Sequence, residues 1–289
     1  MNWDDYRLIL ALVREKSVRG AARSLEVSHA TVSRRLAHLN RQPGGPLIQK
    51  SPSGLWPSKA GAVVFEAAQK MEAIANEAAR KQRAVEPRLA GPLCLSVPIP
   101  VLQYLLLPAV TEFRELYPAV ELTIDATDNL VDLDRAEADI AIRSSDTPPE
   151  HWVGRRLFPY MLSFYGHRAY LEATRPTDYQ WIAPEEGITR WPEWLEESPH
   201  PDAPVSLRIT SIAGRFHALR EGMGIGRAAC FMADQEPDLV RLTNAPFTAA
   251  ETFWVLSHPD FAKTKRATVA TRFFSDYLRD RKGLIQGIS

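Results

Sequence analysis

Residues 17 to 40 constrain this chain most. They read Ser17-Val-Arg-Gly-Ala-Ala-Arg-Ser-Leu-Glu-Val-Ser-His-Ala-Thr-Val-Ser-Arg-Arg-Leu-Ala-His-Leu-Asn40, two short amphipathic helices with a tight joint between them. Val18, Ala21, Ala22 and Leu25 recur at i, i+3, i+4 and i+7, one apolar face of a helix that Ser17 caps. After Glu26 and Val27, Ser28 caps a second helix whose inward positions are Val32, Leu36 and Leu39. The alanines let the two helices approach closely. The outward face of the second carries Ser28, His29, Ala30, Thr31, Ser33, Arg34 and Arg35, and such hydroxyls, an imidazole and guanidinium groups suit base edges and phosphates. This is the layout of a helix-turn-helix whose second helix enters a major groove. An ordinary helical hairpin with a solvated polar face is the alternative.

Charge supports the first reading. The chain is neutral overall, with 35 basic and 35 acidic residues among 289. Residues 1–59, however, hold ten Lys and Arg against four Asp and Glu, a net of +6, which leaves −6 on the remainder. A basic head on an acidic body suits a protein that touches nucleic acid at one end only. A further helix precedes the pair, with Tyr6, Ile9, Leu10 and Val13 on one face, so three helices are expected at about 5–14, 18–25 and 29–40. Arg41 to Pro46 must be a loop, since two prolines and two glycines exclude helix. Leu47–Lys50 and Gly54–Trp56 then form a hairpin around Ser51-Pro52-Ser53, a wing that brings Lys50 and Ser51 near backbone phosphates.

Ser58 caps a long helix that is expected to run to about Val85 before Pro87 ends it, roughly 39 Å at the usual rise. Val64, Ala68, Met71, Ala75 and Ala78 repeat at spacings of four and three, the seam of a coiled coil. The seam faces either its own domain or a second copy of the chain, and paired heads on paired half-sites favour the copy. From Gly91 the texture becomes α/β. Strands at 93–97, 120–124 and 138–142 alternate with helices at 103–117 and 130–136, which implies right-handed βαβ units in a parallel sheet. A second series follows, with strands at 161–165, 181–182, 205–209 and 225–230 and a helix at 212–221. A strand at 252–257 returns to the first half, and a helix at 267–281 closes the chain. Two similar lobes with a cleft where the chain crosses are the expected result.

In open α/β sheets, ligands sit beyond the carboxyl ends of strands and near helix N-termini. That rule selects Pro98, Pro100, Val101, Thr127, Arg143, Ser144, Thr210 and Ser211 as cleft residues. Arg143 serves either as an anion partner or in an ion pair with a neighbouring Asp, and Ser211 as a helix cap or a ligand contact. No catalytic constellation stands out: there is no Gly-x-Ser-x-Gly elbow and no phosphate loop. Gly222-Met-Gly-Ile-Gly226 is a tight turn between helix and strand rather than a dinucleotide fingerprint. The seven histidines lack metal-ligand spacing, so neither metal nor cofactor is expected. Cys94 and Cys230 have apolar neighbours and are expected as buried free thiols in a reducing cytoplasm, with a redox pair as the alternative. No apolar run approaches the 18 or so residues of a membrane span, and Met1-Asn-Trp-Asp-Asp5 is no signal peptide.

At this point the chain resembles a LysR-type transcriptional regulator over nearly all its length. The most specific match is Ser17-Val-Arg-Gly-Ala-Ala22 with Leu25-Glu-Val-Ser-His-Ala-Thr-Val-Ser-Arg-Arg-Leu36, similar to the family's serine, two alanines, leucine and Val-Ser pair. Trp56-Pro-Ser-Lys-Ala-Gly61 resembles the start of the family linker helix. Leu106-Leu-Pro108, Phe113 and Tyr117-Pro118 resemble its first body helix, Ala138 to Arg143 its Asp-(Leu/Ile)-Ala-Ile strand, and Gly222 to Gly226 its late glycine turn. The resemblance implies an α/β protein with a winged helix-turn-helix at 1–58, a linker and dimerisation helix at 59–86, and an effector-binding domain at 91–289. That domain would be two-lobed and periplasmic-binding-protein-like, with lobe I at about 91–160 and 258–289 and lobe II at about 161–257. It also implies a cytoplasmic, sequence-specific regulator of transcription that binds double-stranded DNA and a small-molecule effector. Homodimers would form through the linker, and bodies pairing again would give a tetramer. An effector-independent DNA-binding or architectural protein, whose body only oligomerises, is the first rival; an α/β enzyme or solute-binding module with an incidental head is the second.

The departures from the family pattern are local. Pro43-Gly44 and Ile48 replace the usual Leu-Gly and Phe around the first wing strand, and His29 stands where glutamine is common. Members that bind carboxylates often place Ser or Thr after the first body strand, whereas Pro98-Ile-Pro-Val-Leu102 is apolar. That substitution counts against a small anionic effector.

Overall fold

The computed structural model describes residues 1–41, 43–84, 89–127, 133, 137–185 and 191–288. Gln42 of the expected loop, the linker end around Val85 to Pro87, and the helix expected over Leu130 to Ala136 (Leu133 apart) lie outside the described residues. The chain divides into two compact units, one running to Arg83 and one beginning at Ala84.

The first unit contains α1 (Trp3–Glu15), α2 (Val18–Ser24), α3 (His29–Leu39), β1 (Ile48–Ser51), β2 (Gly54–Pro57) and α4 (Lys59–Ala84). Each short helix starts where a side chain satisfies the first free amides. Asn2 and Asp5 form a reciprocal capping box on α1, the Ser17 hydroxyl accepts from the Gly20 amide at 3.0 Å, and Ser28 accepts from the Thr31 amide at 3.1 Å. Glu26 adopts a left-handed φ of 56° in the joint between α2 and α3. Ile9, Leu12, Ala21, Val32 and Leu39 fill the core that results, joined by Ile48 and Leu55 from the hairpin.

Two polar clamps hold the hairpin in place. The Asn40 side chain donates to the Ile48 carbonyl and accepts from the Leu47 and Ile48 amides at 2.8–3.0 Å. The Leu55 amide donates to the Lys16 carbonyl at 2.9 Å. The linker helix α4 begins with the Ser58 hydroxyl accepting from the Gly61 amide. Val64 packs on the head core and Ala68 is fully buried, so the start of the expected seam serves the chain's own head. Met71, Ala75 and Ala78 are exposed. Arg14 of α1 grips Glu72 of α4 through two bonds, at 2.8 and 2.5 Å.

The second unit is built on one mixed sheet. Its strands are β3 (Gly91–Val97), β4 (Val120–Ala126), β5 (Ile140–Ser144), β6 (Val153–His167), β7 (Trp181–Ala183), β8 (Val205–Arg208), β9 (Ile225–Ala229), β10 (Leu239–Arg241) and β11 (Thr248–Ser257). The order is β4-β3-β5-β11-β6-β9-β7-β8, with β10 also on β6. β3, β4 and β5 are mutually parallel, as are β7, β8 and β9. These parallel triplets agree with the expected division into two halves, although the helix expected between β4 and β5 lies outside the described residues, Leu133 apart. Between them β6 and β11 run antiparallel, and their register places Ser257 opposite Val153 and Thr248 opposite Leu162.

β6 is 15 residues long, three times the expected strand at 161–165. Its first half carries Arg155, Arg156 and Pro159, which conceal a strand in the sequence. Proline removes a ladder donor, and β11 shifts register between Ala249 and Thr252, facing Pro159. The first body helix also starts earlier than expected. Pro98 occupies its N-cap and helical backbone runs from Ile99 to Leu116, with a π-helical turn at Leu102–Leu106. Pro100 fits in a first turn that needs no amide donor, and the wide turn precedes Pro108, whose ring would otherwise meet a carbonyl one turn back. The turn after Gly222 closes as expected, with φ of 69° at Gly222 and 159° at Gly224. Helix Lys265–Asp280 stacks its Phe274 on Phe113 of the first body helix, ring centres 5.2 Å apart. Among the described residues, no helix is long and apolar enough to cross a membrane.

The tightest helix-to-wing approach lies at Gly61, where an added Cβ would stand 1.8 Å from the Leu47 carbonyl oxygen. Gly61→Ala gains about 1 kcal/mol in helix propensity but forces α4 off the wing, an overpacking cost of about 1–3 kcal/mol or more. The variant is expected to melt at lower temperature than the parent. Gly283→Ala, which meets nothing within 4 Å, is expected not to. Equal melting of all three proteins by calorimetry would refute the constraint.

Candidate nucleic-acid interface and ligand cleft

On the first unit, His29, Ala30 and Arg34 are exposed along α3, with Thr31 and Ser33 half-buried beside them. Arg34 makes no hydrogen bond or ion pair among the described residues. Arg35 does not share that freedom: its guanidinium donates to Asp5 at 2.9 Å, an interaction that ties α3 to α1. Burial raises the Asp5 carboxyl, but the Asn2 amide and Arg35 outweigh it and hold that group below the usual carboxylate range. The Ser28 hydroxyl is engaged in capping and lies 2.8 Å from the Thr31 hydroxyl. On the wing Lys50 is exposed, while the Ser51 hydroxyl donates to the Gly54 carbonyl at 3.1 Å and so stabilises the turn.

Sequence reasoning passed over Arg19 and Arg23, which are exposed on α2 without partners among the described residues. It also passed over Trp56, whose ring lies 5.0 Å from the Lys16 ammonium and whose indole donates to Ser53. Helical spacing was the available signal for the arginines, since Arg19 and Arg23 are one turn apart on the outer face.

In the second unit a cavity of about 290 Å³ opens between the two halves of the sheet. Four of the eight expected residues line it: Pro98, Pro100, Val101 and Ser144. The other four do not, for local reasons. Thr127 sits just beyond β4, its amide donating to the Val97 carbonyl at 3.0 Å. Thr210 and Ser211 are exposed at the entry to helix Ile212–Arg220, where Ser211 accepts from the Gly214 amide as an N-cap.

Arg143 is the substantive correction. Side chains alternate along a strand, so Ser144 on β5 takes the cavity side and Arg143 the other. Arg143 is 9% exposed and donates to the Ser96 hydroxyl at 2.8 Å; that hydroxyl in turn bonds Asp125 at 3.1 Å. The residue ties β5, β3 and β4 together and contributes nothing to the cavity wall.

The cavity's cations come from the second lobe instead. Arg215 extends from helix Ile212–Arg220 and gives one nitrogen to the Ile209 and Thr210 carbonyls, at 2.8 Å each. Arg227 extends from β9 and lies against the rings of Phe164 and Trp194, 6.0 and 5.8 Å from their centres. Burial lowers the pKa of both arginines. Tyr160 from β6 and Phe253 from β11 form an aromatic wall, ring centres 5.3 Å apart, with Phe231 beyond them. Burial first, and then the charge of Glu251, raises the Tyr160 phenol, which keeps it a hydrogen-bond donor. The Ser144 hydroxyl donates to Glu251 at 2.7 Å. Tyr160, Arg227 and Phe253 escaped the strand-end rule because they project from mid-strand positions, and Arg215 and Phe231 because they stand on helices.

Comparison with known proteins connects the two sites. A family described as "Bacterial regulatory helix-turn-helix protein, lysR family" matches residues 3–62, and one described as "LysR substrate binding domain" matches residues 87–282. The chain is 26% identical over 248 residues to a probable HTH-type transcriptional regulator LtrA of Klebsiella pneumoniae, covering 79% of this chain and 77% of that one. It is 26% identical over 281 residues to the Mau operon transcriptional activator of Paracoccus denitrificans, covering 96% of each. Its fold is similar to the full-length structure of the Vibrio cholerae virulence activator AphB, with a TM-score of 0.59 and 18% identity over 96% of this chain and 98% of that one. With the helix-turn-helix and the substrate-binding domain both matched in order along one polypeptide, the chain belongs to the LysR family of transcriptional regulators.

Proposed function

We propose that residues 1–58 read double-stranded DNA through α3 and the wing, that 59–86 pair two copies, and that the cavity in 91–289 is the effector site of the regulator. The observation that carries the DNA assignment is the exposed polar face of α3, with His29 and, unpaired among the described residues, Arg34, within residues 1–59 of net charge +6. Arg34, Lys50, Arg19 and Arg23 act on phosphates, while His29, Ala30 and Ser33 approach base edges. Arg35 holds α3 against α1. Replacing Arg34 with Ala weakens binding to all duplexes alike and flattens the salt dependence. Changing His29 alters preference among sites by about 1–3 kcal/mol if it makes a good base contact. Gel-shift titrations on specific and random duplexes check both, and equal losses on the two duplexes for the His29 change would sink its base-reading role.

Pairing through α4 is supported by the apolar side chains that its own head leaves uncovered. Val63 and Ile74 are 70% and 67% exposed, with Met71 and Ala75 nearby. The dimer spaces two heads over a roughly dyad-symmetric operator, and paired bodies would extend it to a tetramer. Met71→Glu, which buries a charge in that seam, is expected to dissociate the pair and abolish tight operator binding. Unchanged sedimentation together with normal binding would refute the seam.

The cavity supports control by a small molecule rather than an architectural role. A pocket of mixed apolar walls and a few polar groups is the usual form of a ligand site, and a solid side-chain core would suit a body that only oligomerises. A ligand that binds the folded body raises its melting temperature. A compound from a metabolite panel is expected to do so in the parent protein and not in Phe253→Ala, whose cavity wall is lost. A shift of equal size in both would place the ligand elsewhere. The reading includes a cytoplasmic location and no catalysis by the chain itself, supported by family relatives named as regulators.

A further inference from the structure

We infer that the cavity's ligand is an anion, a small carboxylate bearing an aromatic ring, anchored by Arg227. The inference rests on the reading of this cavity as the effector site, and it names the chemistry of that effector.

The anchor is identified by what it lacks. Arg227 lines the cavity, yet among the described residues it makes no hydrogen bond and no ion pair. Its Nε is buried and without a partner, and its guanidinium lies against the rings of Phe164 and Trp194. No Asp or Glu is among the described residues that line the cavity. Glu197 reaches Arg227 only through its longer-range field and is itself exposed. Arg215 differs, because two backbone carbonyls already occupy one of its nitrogens. A guanidinium withdrawn from water without a counter-charge is unfavourable. A bound carboxylate would remove that penalty, since it matches the planar fork of an arginine in geometry as well as charge.

The rest of the wall selects the ligand's body. Tyr160, Phe253 and Phe231 form a connected aromatic surface, and Pro98, Pro100 and Val101 add an apolar face from the first lobe. The Tyr160 hydroxyl is available as a second donor. Only Arg227 has its whole donor fork free, since Arg215 spends one nitrogen on two carbonyls, so the site matches the planar carboxylate of an aryl acid better than a compact, strongly hydrated phosphate. The apolar turn at Pro98–Leu102 therefore does not exclude an anion. It moves the charge-recognising group from the first lobe to the second.

The test uses the full-length chain and three aryl carboxylates of increasing length, benzoate, phenylacetate and 3-phenylpropionate, each beside its neutral amide, with inorganic phosphate as a further probe. At least one carboxylate is expected to raise the melting temperature while its amide and phosphate do not. Arg227→Gln is expected to weaken that carboxylate by at least about tenfold, the scale of one lost charge-assisted hydrogen bond, and Arg227→Lys by less. Because the unpaired charge is removed, ligand-free Arg227→Gln is expected to melt no lower than the parent, a result that a structural arginine would not give. Amide and acid binding equally, or undiminished binding to a folded Arg227→Gln, overturns the anion assignment and leaves the cavity as the effector site. A response to phosphate equal to that of the carboxylates overturns the aromatic part. Silence from all six aryl compounds also overturns the inference, and the wider metabolite panel then decides separately whether the cavity binds an effector at all.

Discussion

The antiparallel pairing of β6 with β11 is the interaction on which the body depends. Each parallel half-sheet, β4-β3-β5 and β9-β7-β8, would otherwise end in a row of open backbone amides and carbonyls. Two long strands that run through both halves satisfy those groups and make one sheet of the two. The cavity opens beside them. Tyr160, Leu162 and Phe253 stand on these strands and line that space. A ligand held there touches both of the strands that join the two halves. Any response to the ligand requires that it bind one lobe arrangement better than the other.

Inside the first unit the constraint is a shared dependence on three contacts. Asn40 joins the end of α3 to the wing, Gly61 brings α4 against Leu47, and Arg14 grips Glu72 a full three turns along α4. An ion pair at a surface is worth little alone. This one is bidentate and roughly three-quarters buried on both sides, which favours a defined angle between head and linker. A head held at a fixed angle to its linker can report the position of its partner through the spacing of two half-sites.

The cavity shows how polarity is divided in this body. Arg143 and Ser96 form a hydrogen-bonded tie with Asp125, and Tyr165, Asp234 and Arg241 form another, with the Tyr165 hydroxyl donating to Asp234 at 2.8 Å. Both ties give their arginine a partner within the protein, Ser96 for Arg143 and the Asp234 carboxylate for Arg241, although the Arg241 Nε is left without one. Arg227 is the contrasting case, a cation among aromatic rings that among the described residues makes no hydrogen bond or ion pair through any of its nitrogens. Two arginines on strands of the same sheet thus have opposite roles, decided by which groups their neighbours supply.

Much of this protein was legible in its residue order. Apolar periodicity, serine caps and glycine or proline stops are local, so the three head helices, the wing, the linker helix and the alternation of strands and helices follow from short stretches of sequence. The outward face of α3 follows as well, because a helix places its polar stripe opposite its apolar one. The tertiary structure alone decided what depends on contacts between distant residues. The full length of β6 was hidden by Arg155, Arg156 and Pro159; the arginines pair with Val255 and Trp254, and β11 shifts register on either side of the Thr252–Pro159 pair. The engagement of Arg35 with Asp5, the turn of Arg143 toward Ser96, and the convergence of Arg227, Tyr160 and Phe253 on one cavity join positions 26 to 93 residues apart. Strand alternation assigns a side chain to one of two faces, but only the packing of the sheet determines which face is the cavity.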